Sequence, residues 1–446
     1  MKATLIVKNF GPIEHAELDL RNVNVFIGPQ ASGKSTLAKL YTICKSPLSF
    51  LDDSDILTLN KINNSGNKSF EALKFESALE DLNILNFLNK TSVVEFESEL
   101  HYFKYSRGKI GFERKLEAII RELDRQIVIG DLVGAKEVIV LFSENILSFN
   151  IDAMMSIFKI RKKRPPKTYD EFFKFTKQFN FKSETFSVIE LERLSEDLER
   201  CEQNMLSQTA NYIPAERVLI PILKGATFGL MQHNVAIPKH ILNFAATYER
   251  ATSKVKELDL SFIKNGLSYR QVNGVDHIFF SPKRSVTLAE SATGLQSLIP
   301  LLLPIKFDSE ARSRSYVIEE PEINLFPKAQ YNLMKYLEEE RRDGTLDSTF
   351  SHTYTTHSPY ILSAFNNMLY AFKKWNDSDK SVAMKEELGM VLPKANWLNP
   401  ENFNAYSIQD GTAIQILDRE LGLIGENVID EISDEMSDDF DRLMDI

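Results

Sequence analysis

The eight residues Gly28-Pro29-Gln30-Ala31-Ser32-Gly33-Lys34-Ser35 constrain this chain more than any other stretch. They fit the pattern G-x-x-x-x-G-K-[ST] in full, after the apolar "NVNVFI" (22–27) and before an apolar helix around Thr36–Thr42. Such a loop requires an α/β core, because its N–H groups and the positive end of the helix must converge on one anion. Gly28 to Thr36 are therefore expected to cradle phosphates. Lys34 is expected to reach the outer ones, and the Ser35 hydroxyl to ligate Mg²⁺.

A loop of this kind needs a second acid on its metal side, at the end of another strand. "SYVIEEPEINLF" (315–326) supplies one: an apolar run ends in Glu319 and Glu320, with Glu322 past a proline. Negative charge is favourable where a divalent cation and a water must be held. Glu319 is assigned to Mg²⁺ and Glu320 to the attacking water, while Glu322 only opens the next helix, where the dipole welcomes it. The next apolar stretch, "TFSHTYTTHSP", brings His357 to a strand end beside those carboxylates, within reach of a γ-phosphate. "AESATGLQSLIPLLL" (289–303) opens an apolar helix with small residues, a second phosphate-binding helix start. One face of the nucleotide is already taken by the loop. Thr293, Gly294 and Gln296 are therefore expected to contact the ATP of another subunit.

The 446 residues exceed one domain's usual share, and the net charge of −10 excludes a globally basic nucleic-acid binder. Cys44 and Cys201 lack metal-ligand spacing and are expected to be reduced. The N-terminus lacks the apolar region of a signal peptide, and "LIPLLLPI" (298–305) is too short to span a bilayer. The expectation is a cytoplasmic protein with no membrane partner. Short strands are expected over 3–10, 14–20 and 22–27, and sheet-like pattern returns at "NYIPAERVLI" (211–220). A hairpin over "LSYRQVNGVDHIFF" turns at Asn273-Gly274. The division is a sheet-plus-helix core with the phosphate loop over 1–50 and 211–375, an insertion over 51–210, and an extension over 376–446 with an acidic tail. The insertion is mainly helical, with a short β segment at "SVVEFESELHYFKYS".

These four motifs, in this order, resemble the ABC-type ATPase heads of the structural-maintenance, RecF-like and OLD-like group. In that resemblance Ala292-Thr293-Gly294-Leu295-Gln296 takes the place of the signature sequence, Glu319-Glu320 that of Walker B, and His357 that of the switch histidine. The fold it implies is α/β: a P-loop ATPase head with a mixed sheet core, an antiparallel β lobe and a mainly helical insertion. "YIPAER" (212–217) looks like the strand that carries the Q-loop in such proteins, with Ala215 near the usual glutamine. Glu216 or Arg217 stands beside it as a substitute. The chain looks most similar to standalone ATPases of bacterial anti-phage systems, such as those of the Septu and PARIS type. There the ATPase works with a separate effector, a nuclease or other toxic protein. Residues 358–446 are too few for the TOPRIM nuclease domain of OLD proteins plus the tail, so ATP hydrolysis is the chemistry implied.

Three readings stand at this point. One is a switch ATPase that forms an ATP-dependent dimer or higher homo-oligomer and controls an effector in anti-phage defence. Another is a RecF-like or cohesin-like repair ATPase that clamps duplex DNA. The third is an ATP-bound scaffold with little turnover. Arg161, Lys162, Lys163 and Arg164 open the one dense basic run, which suits contact with a DNA or RNA backbone or a solvated loop.

Overall fold

The computed structural model describes residues 2–46, 70–98, 101–114, 210–224, 233, 236–310, 315–342, 350–376 and 382–444. Its frame is an eleven-stranded mixed sheet with a separate four-stranded antiparallel sheet. The first three strands are β1 (Ala3–Phe10), β2 (Ile13–Leu20) and β3 (Val23–Ile27), and α1 (Lys34–Lys45) follows the glycine-rich loop. α2 (Phe70–Asp81) leads into β4 (Val93–Ser98), β5 (His101–Ser106) and β6 (Lys109–Arg114). These three strands are not a detached piece of the insertion. β4 pairs antiparallel with β1 (Leu5↔Phe96), and its inward Val94 and Phe96 pack in the same core as Leu5 and Val7. The alternation in the sequence marked a half-buried strand. It could not say whose edge that strand would extend.

The chain re-enters the sheet at β7 (Asn211–Ile213), which is shorter than the 211–220 run suggested. Pro214 has no N–H for a ladder, and a 3₁₀ turn (Ala215–Leu219) and a helical turn (Ile220–Leu223) carry the rest. α3 (Lys239–Lys254) then leads to the small sheet of β8 (Glu257–Asp259), β9 (Ser268–Val272), β10 (Val275–Ser281) and β11 (Arg284–Thr287). Asn273 (φ 51°) and Gly274 (φ 81°) both take left-handed backbone between β9 and β10, as a two-residue type I′ hairpin demands.

α4 (Thr293–Glu310), β12 (Tyr316–Glu319), α5 (Pro327–Arg342), β13 (His352–Thr355) and α6 (Pro359–Asn376) complete the middle of the fold. The apolar run in α4 is core: Leu298 to Leu303 are buried around two in-helix prolines. Among the described residues no helix is long and apolar enough to cross a membrane. After α7 (Val382–Val391), β14 (Phe403–Gln409) and β15 (Thr412–Gln415) return to the centre of the large sheet. A two-residue ribbon of β16 (Leu417–Asp418) and β17 (Leu423–Ile424) precedes α8 (Val428–Met444). The region after residue 376 therefore supplies two strands to the middle of the large sheet, β14 buried and β15 partly exposed. The acidic tail forms a helix exposed from Glu435 onward.

The strand order is β6-β5-β4-β1-β2-β15-β14-β3-β13-β12-β7. The last five strands run parallel, and their alternate residues enter two cores. Val23, Val25, Tyr316 and Ile318 face α3 to α6. Phe26 and Val317 face α1 and α2. Burial on both faces explains why these strands read as continuous apolar runs. Register sets Tyr406, Phe26, Thr355 and Glu319 in one row across β14, β3, β13 and β12. The loops that leave this row share one edge, the carboxyl edge where open α/β sheets bind ligands.

Candidate nucleotide site

Four sequence motifs leave the sheet along that edge, from β3, β13, β12 and β7. The glycine-rich loop after β3 is forced by close packing. A Cβ on Gly28 (φ 145°) would lie 2.1 Å from the Ile408 carbonyl oxygen of β14, so no side chain fits there. Ala31 (φ 61°) and Gly33 (φ 105°) also take positive φ, folding the loop back over the start of α1. Gly33 caps α1 without a side-chain hydrogen bond, and the first turn holds no acidic residue. The N–H groups of that turn therefore have neither a capping oxygen nor a carboxylate competing with an incoming anion.

Lys34 is buried inside the loop, where its ammonium donates to the Gly28 (2.9 Å) and Pro29 (2.7 Å) carbonyls. Burial lowers its pKa to about 8, against the opposing pull of Glu320, Glu319 and Glu322. Ser35 is exposed at the first turn and Thr36 is buried beneath it. The Ser32 hydroxyl is buried without a hydrogen-bond partner.

Glu319 ends β12 at 4% exposure, and its Oε1 is buried with no hydrogen-bond partner. A carboxylate oxygen in that position is suited to a cation rather than to solvent. Tyr212 of β7 faces it. Burial first, then the Glu319 charge, pushes that phenol well above its ordinary value. One residue on, Glu320 holds φ 41°, a backbone that a glutamate rarely takes and that costs about 1–3 kcal/mol. Its N–H donates to the Thr355 carbonyl (2.9 Å). Its Oε1 lies 3.6 Å from His357 Nε2, both side chains about one-third exposed. Burial, then the charge of Lys34, lowers the His357 pKa, partly opposed by a Gly28 backbone hydrogen bond.

Glu322 does not open the next helix, which starts only at Pro327; it sits in the turn after β12. Its Oε1 accepts from the Thr356 hydroxyl (2.6 Å) and the His357 N–H (2.9 Å), tying the loop after β12 to the loop after β13. Burial raises its carboxyl, and those two bonds act against the shift. Sequence reasoning passed over this strut because its partners lie 34 and 35 residues away.

The start of α4 is divided. Ala292 and Thr293 are exposed, and Gly294 is pressed against the loop after Glu320, where an added Cβ would lie 2.6 Å from the Asn324 carbonyl oxygen. The Ser297 hydroxyl donates to the Gly294 and Ile323 carbonyls, both at 3.0 Å. Gln296 departs from its expected place. It is buried, and its amide donates to the Ala289 (2.8 Å) and Ser291 (2.9 Å) carbonyls, so it holds the preceding turn rather than facing outward. Phe326, beside this surface in the chain, is 78% exposed.

Of the two residues beside the Q-loop position, Arg217 is spent entirely within the protein. Its guanidinium is fully buried and donates to the Pro214, Glu319, Glu320 and Ser297 carbonyls. The Glu216 side chain is half-exposed, 3.7 Å from His240. Arg161 to Arg164 lie outside the described residues, as does Cys201. Cys44 is buried, its thiol pushed up by burial. No group of three or more metal-ligating side chains occurs among the described residues.

A family model described as "AAA ATPase domain" matches residues 1–362. No curated protein matches the chain in sequence. Among solved structures, the Smc head domain of Pyrococcus furiosus, bound to the C-terminal domain of ScpA, is 11% identical with a TM-score of 0.32. That match covers 93% of this chain and 95% of that one. The SMC head domain of Thermotoga maritima is also 11% identical, with a TM-score of 0.37, over 93% of this chain and 98% of that one.

Proposed function

This chain belongs to the AAA ATPase domain family, and from that premise we propose that it is an ATP-hydrolysing switch whose nucleotide site closes against a second copy on dimerisation. The observation that carries the reading is the shared edge of the parallel strands. It gathers a buried lysine in a phosphate-shaped loop, an unpartnered carboxylate oxygen, and a carboxylate–imidazole pair 3.6 Å apart.

In this reading the loop from Gly28 to Ser35 and the start of α1 bind the phosphates, and Lys34 leaves its loop carbonyls for the outer ones. The Ser35 hydroxyl and Glu319 Oε1 would hold Mg²⁺. One hydroxyl and one carboxylate suit a cation that completes its shell with phosphate and water. Bound there, Mg²⁺ neutralises charge on the outer phosphates. Glu320 accepts a proton from the attacking water as the new P–O bond forms and the bond to ADP breaks. His357 orients that water and the γ-phosphate. Neutral imidazole can accept or donate a hydrogen bond, so its lowered pKa suits that task.

The exposed Thr293 and the adjacent Gly294 would cover the nucleotide of a facing copy, so that ATP buried between two heads makes association depend on the nucleotide. Hydrolysis then releases the pair, and the switch acts on a separate effector. For the effector, a nuclease or toxin in anti-phage defence, the support is the resemblance of the chain, within the OLD-like group, to standalone defence ATPases.

Two variants test the core of the proposal. Glu320→Gln should keep ATP binding, slow turnover by about 10²-fold or more, and accumulate an ATP-bound dimer. Lys34→Ala should lose nucleotide binding. Wild-type turnover in the first, or wild-type affinity in the second, would sink it. Copurification from the native host would identify the effector.

A further inference from the structure

Arg217 is an unusual buried cation. Its side chain is sealed from solvent, yet none of its hydrogen bonds goes to a carboxylate. Burial lowers its pKa to about 10, with the fields of Glu322, Glu319, Glu320 and Glu216 opposing, so it stays charged at neutral pH. Taking a guanidinium out of water without a bonded counter-ion is expensive, and packing alone would be served as well by an apolar side chain.

The four carbonyls it holds come from three segments. Nη1 donates to Pro214 (3.0 Å) at the end of β7 and to Glu319 (2.6 Å). Nη2 donates to Glu320 (2.7 Å), and Nε to Ser297 (3.1 Å) in α4. Two of these are the consecutive carbonyls on either side of the Glu320 N–H, which is itself bonded to Thr355. Glu320 is thus gripped at both ends of its peptide while its φ is held at 41°. That backbone direction aims its side chain at His357. The same planar fork reaches the helix whose first residues are Thr293 and Gly294, and Ser297 joins that helix again to Ile323.

We propose that Arg217 is a positioning residue for hydrolysis: it fixes the Glu320 backbone from the signature-like helix, so that the turn carrying Glu320 and the surface carrying Thr293 move as one body. This rests on the reading of Glu320 as the residue that activates water. A change in how Thr293-Gly294 is seated would pass through Ser297 and Arg217 to the Glu320 carbonyl. Engagement of a head by its partner's nucleotide would thereby report to that head's own site.

Arg217→Lys is the informative variant. It keeps the charge, but one nitrogen cannot span four carbonyls in three segments. Turnover number, KM, nucleotide affinity and thermal midpoint are measured together. The expected result is a turnover lower by about 10²-fold with a nucleotide Kd near wild type, because a small misaim of a catalytic group has that effect. The Arg217→Lys/Glu320→Gln double variant should be no slower than Glu320→Gln alone, since the arginine acts through that glutamate. Wild-type turnover in Arg217→Lys would overturn the proposal, and so would parallel losses of affinity and turnover, or an additive loss in the double variant. Arg217→Gln, which removes the buried charge, repeats the test if Arg217→Lys does not fold. Failure of both to fold would assign Arg217 to the core and overturn the proposal too. The parent reading fails separately, when Glu320→Gln itself turns over at the wild-type rate.

Discussion

If Lys34 meets the phosphates as proposed, nucleotide affinity should depend on pH in a direction and by an amount set by the burial of its ammonium. Its pKa lies at about 8 because burial disfavours the charged form more than Glu320, Glu319 and Glu322 favour it. Phosphates bound in the loop need the ammonium and will hold it charged well above that value. Binding therefore takes up a proton wherever the free protein has lost it. The sign follows: affinity is full below about pH 8 and falls as pH rises through it. The charged fraction drops from about 0.91 at pH 7 to about 0.09 at pH 9, so Kd should rise about tenfold, roughly 1.4 kcal/mol. His357 does not interfere, since its lowered pKa leaves it neutral over this range. The assay is a titration of fluorescent ATP analogue at constant ionic strength from pH 7 to 9.5. Calorimetry at pH 9 in two buffers of different ionisation enthalpy should show uptake of nearly one proton. Lys34→Arg is the control, because a guanidinium does not deprotonate and its affinity should be flat. A flat wild-type profile would refute the argument that this lysine is desolvated and faces the phosphates, and so would an equal slope in Lys34→Arg.

Two further predictions concern the frame of the site. Glu338 is fully buried with Arg341 (2.9 Å) and the Tyr354 hydroxyl (2.9 Å). Burial alone would raise its carboxyl, but Arg341, His352 and Arg342 hold it well below the ordinary value. Glu338→Gln leaves Arg341 and Arg342 facing a neutral side chain and should cost about 3–5 kcal/mol in denaturant unfolding. Because the folded pKa is depressed, this stability is present above about pH 4.5 and is lost as pH falls, so the variant should lose less on acidification than the wild type. An unchanged denaturation midpoint at neutral pH would contradict the strut. Gly294→Ala sets a methyl 2.6 Å from the Asn324 carbonyl oxygen and should destabilise by about 1–3 kcal/mol, read as a lower thermal midpoint. An unshifted midpoint would mean that the seat of Thr293 is looser than the packing indicates.

The parts of the site legible in the sequence are those whose physics is local. A phosphate loop is contiguous backbone, and its neighbours in sequence are the strand and helix that it needs, so Gly28 to Ser35 could be placed on a strand–loop–helix unit. The I′ turn at Asn273-Gly274 is legible for the same reason, since positive φ at two successive residues is a property of two residues. Glu319 and Glu320 were found because an apolar strand ending in acids is a pattern within ten positions. Gln296 and Arg217 were not legible. Both look like polar residues near a site. Only the positions of the Ala289, Ser291, Ser297 and Glu319 carbonyls reveal that each is turned inward.

Sequence by itself marked the candidate residues and determined the local backbone that holds them, because loop conformation, strand apolarity and helix starts are set within a few residues. Tertiary structure decided their order in space. β13 lies between β3 and β12, so His357 stands between the loop and the acids that precede it in the chain. β14, from the far end of the chain, closes against Gly28 and makes glycine obligatory there. Arg217 reaches across 102 residues to the carbonyl of Glu319. Strand pairing and buried polar satisfaction are long-range constraints, met only when the whole sheet has closed. The residues that aim the chemistry therefore became visible only in the fold.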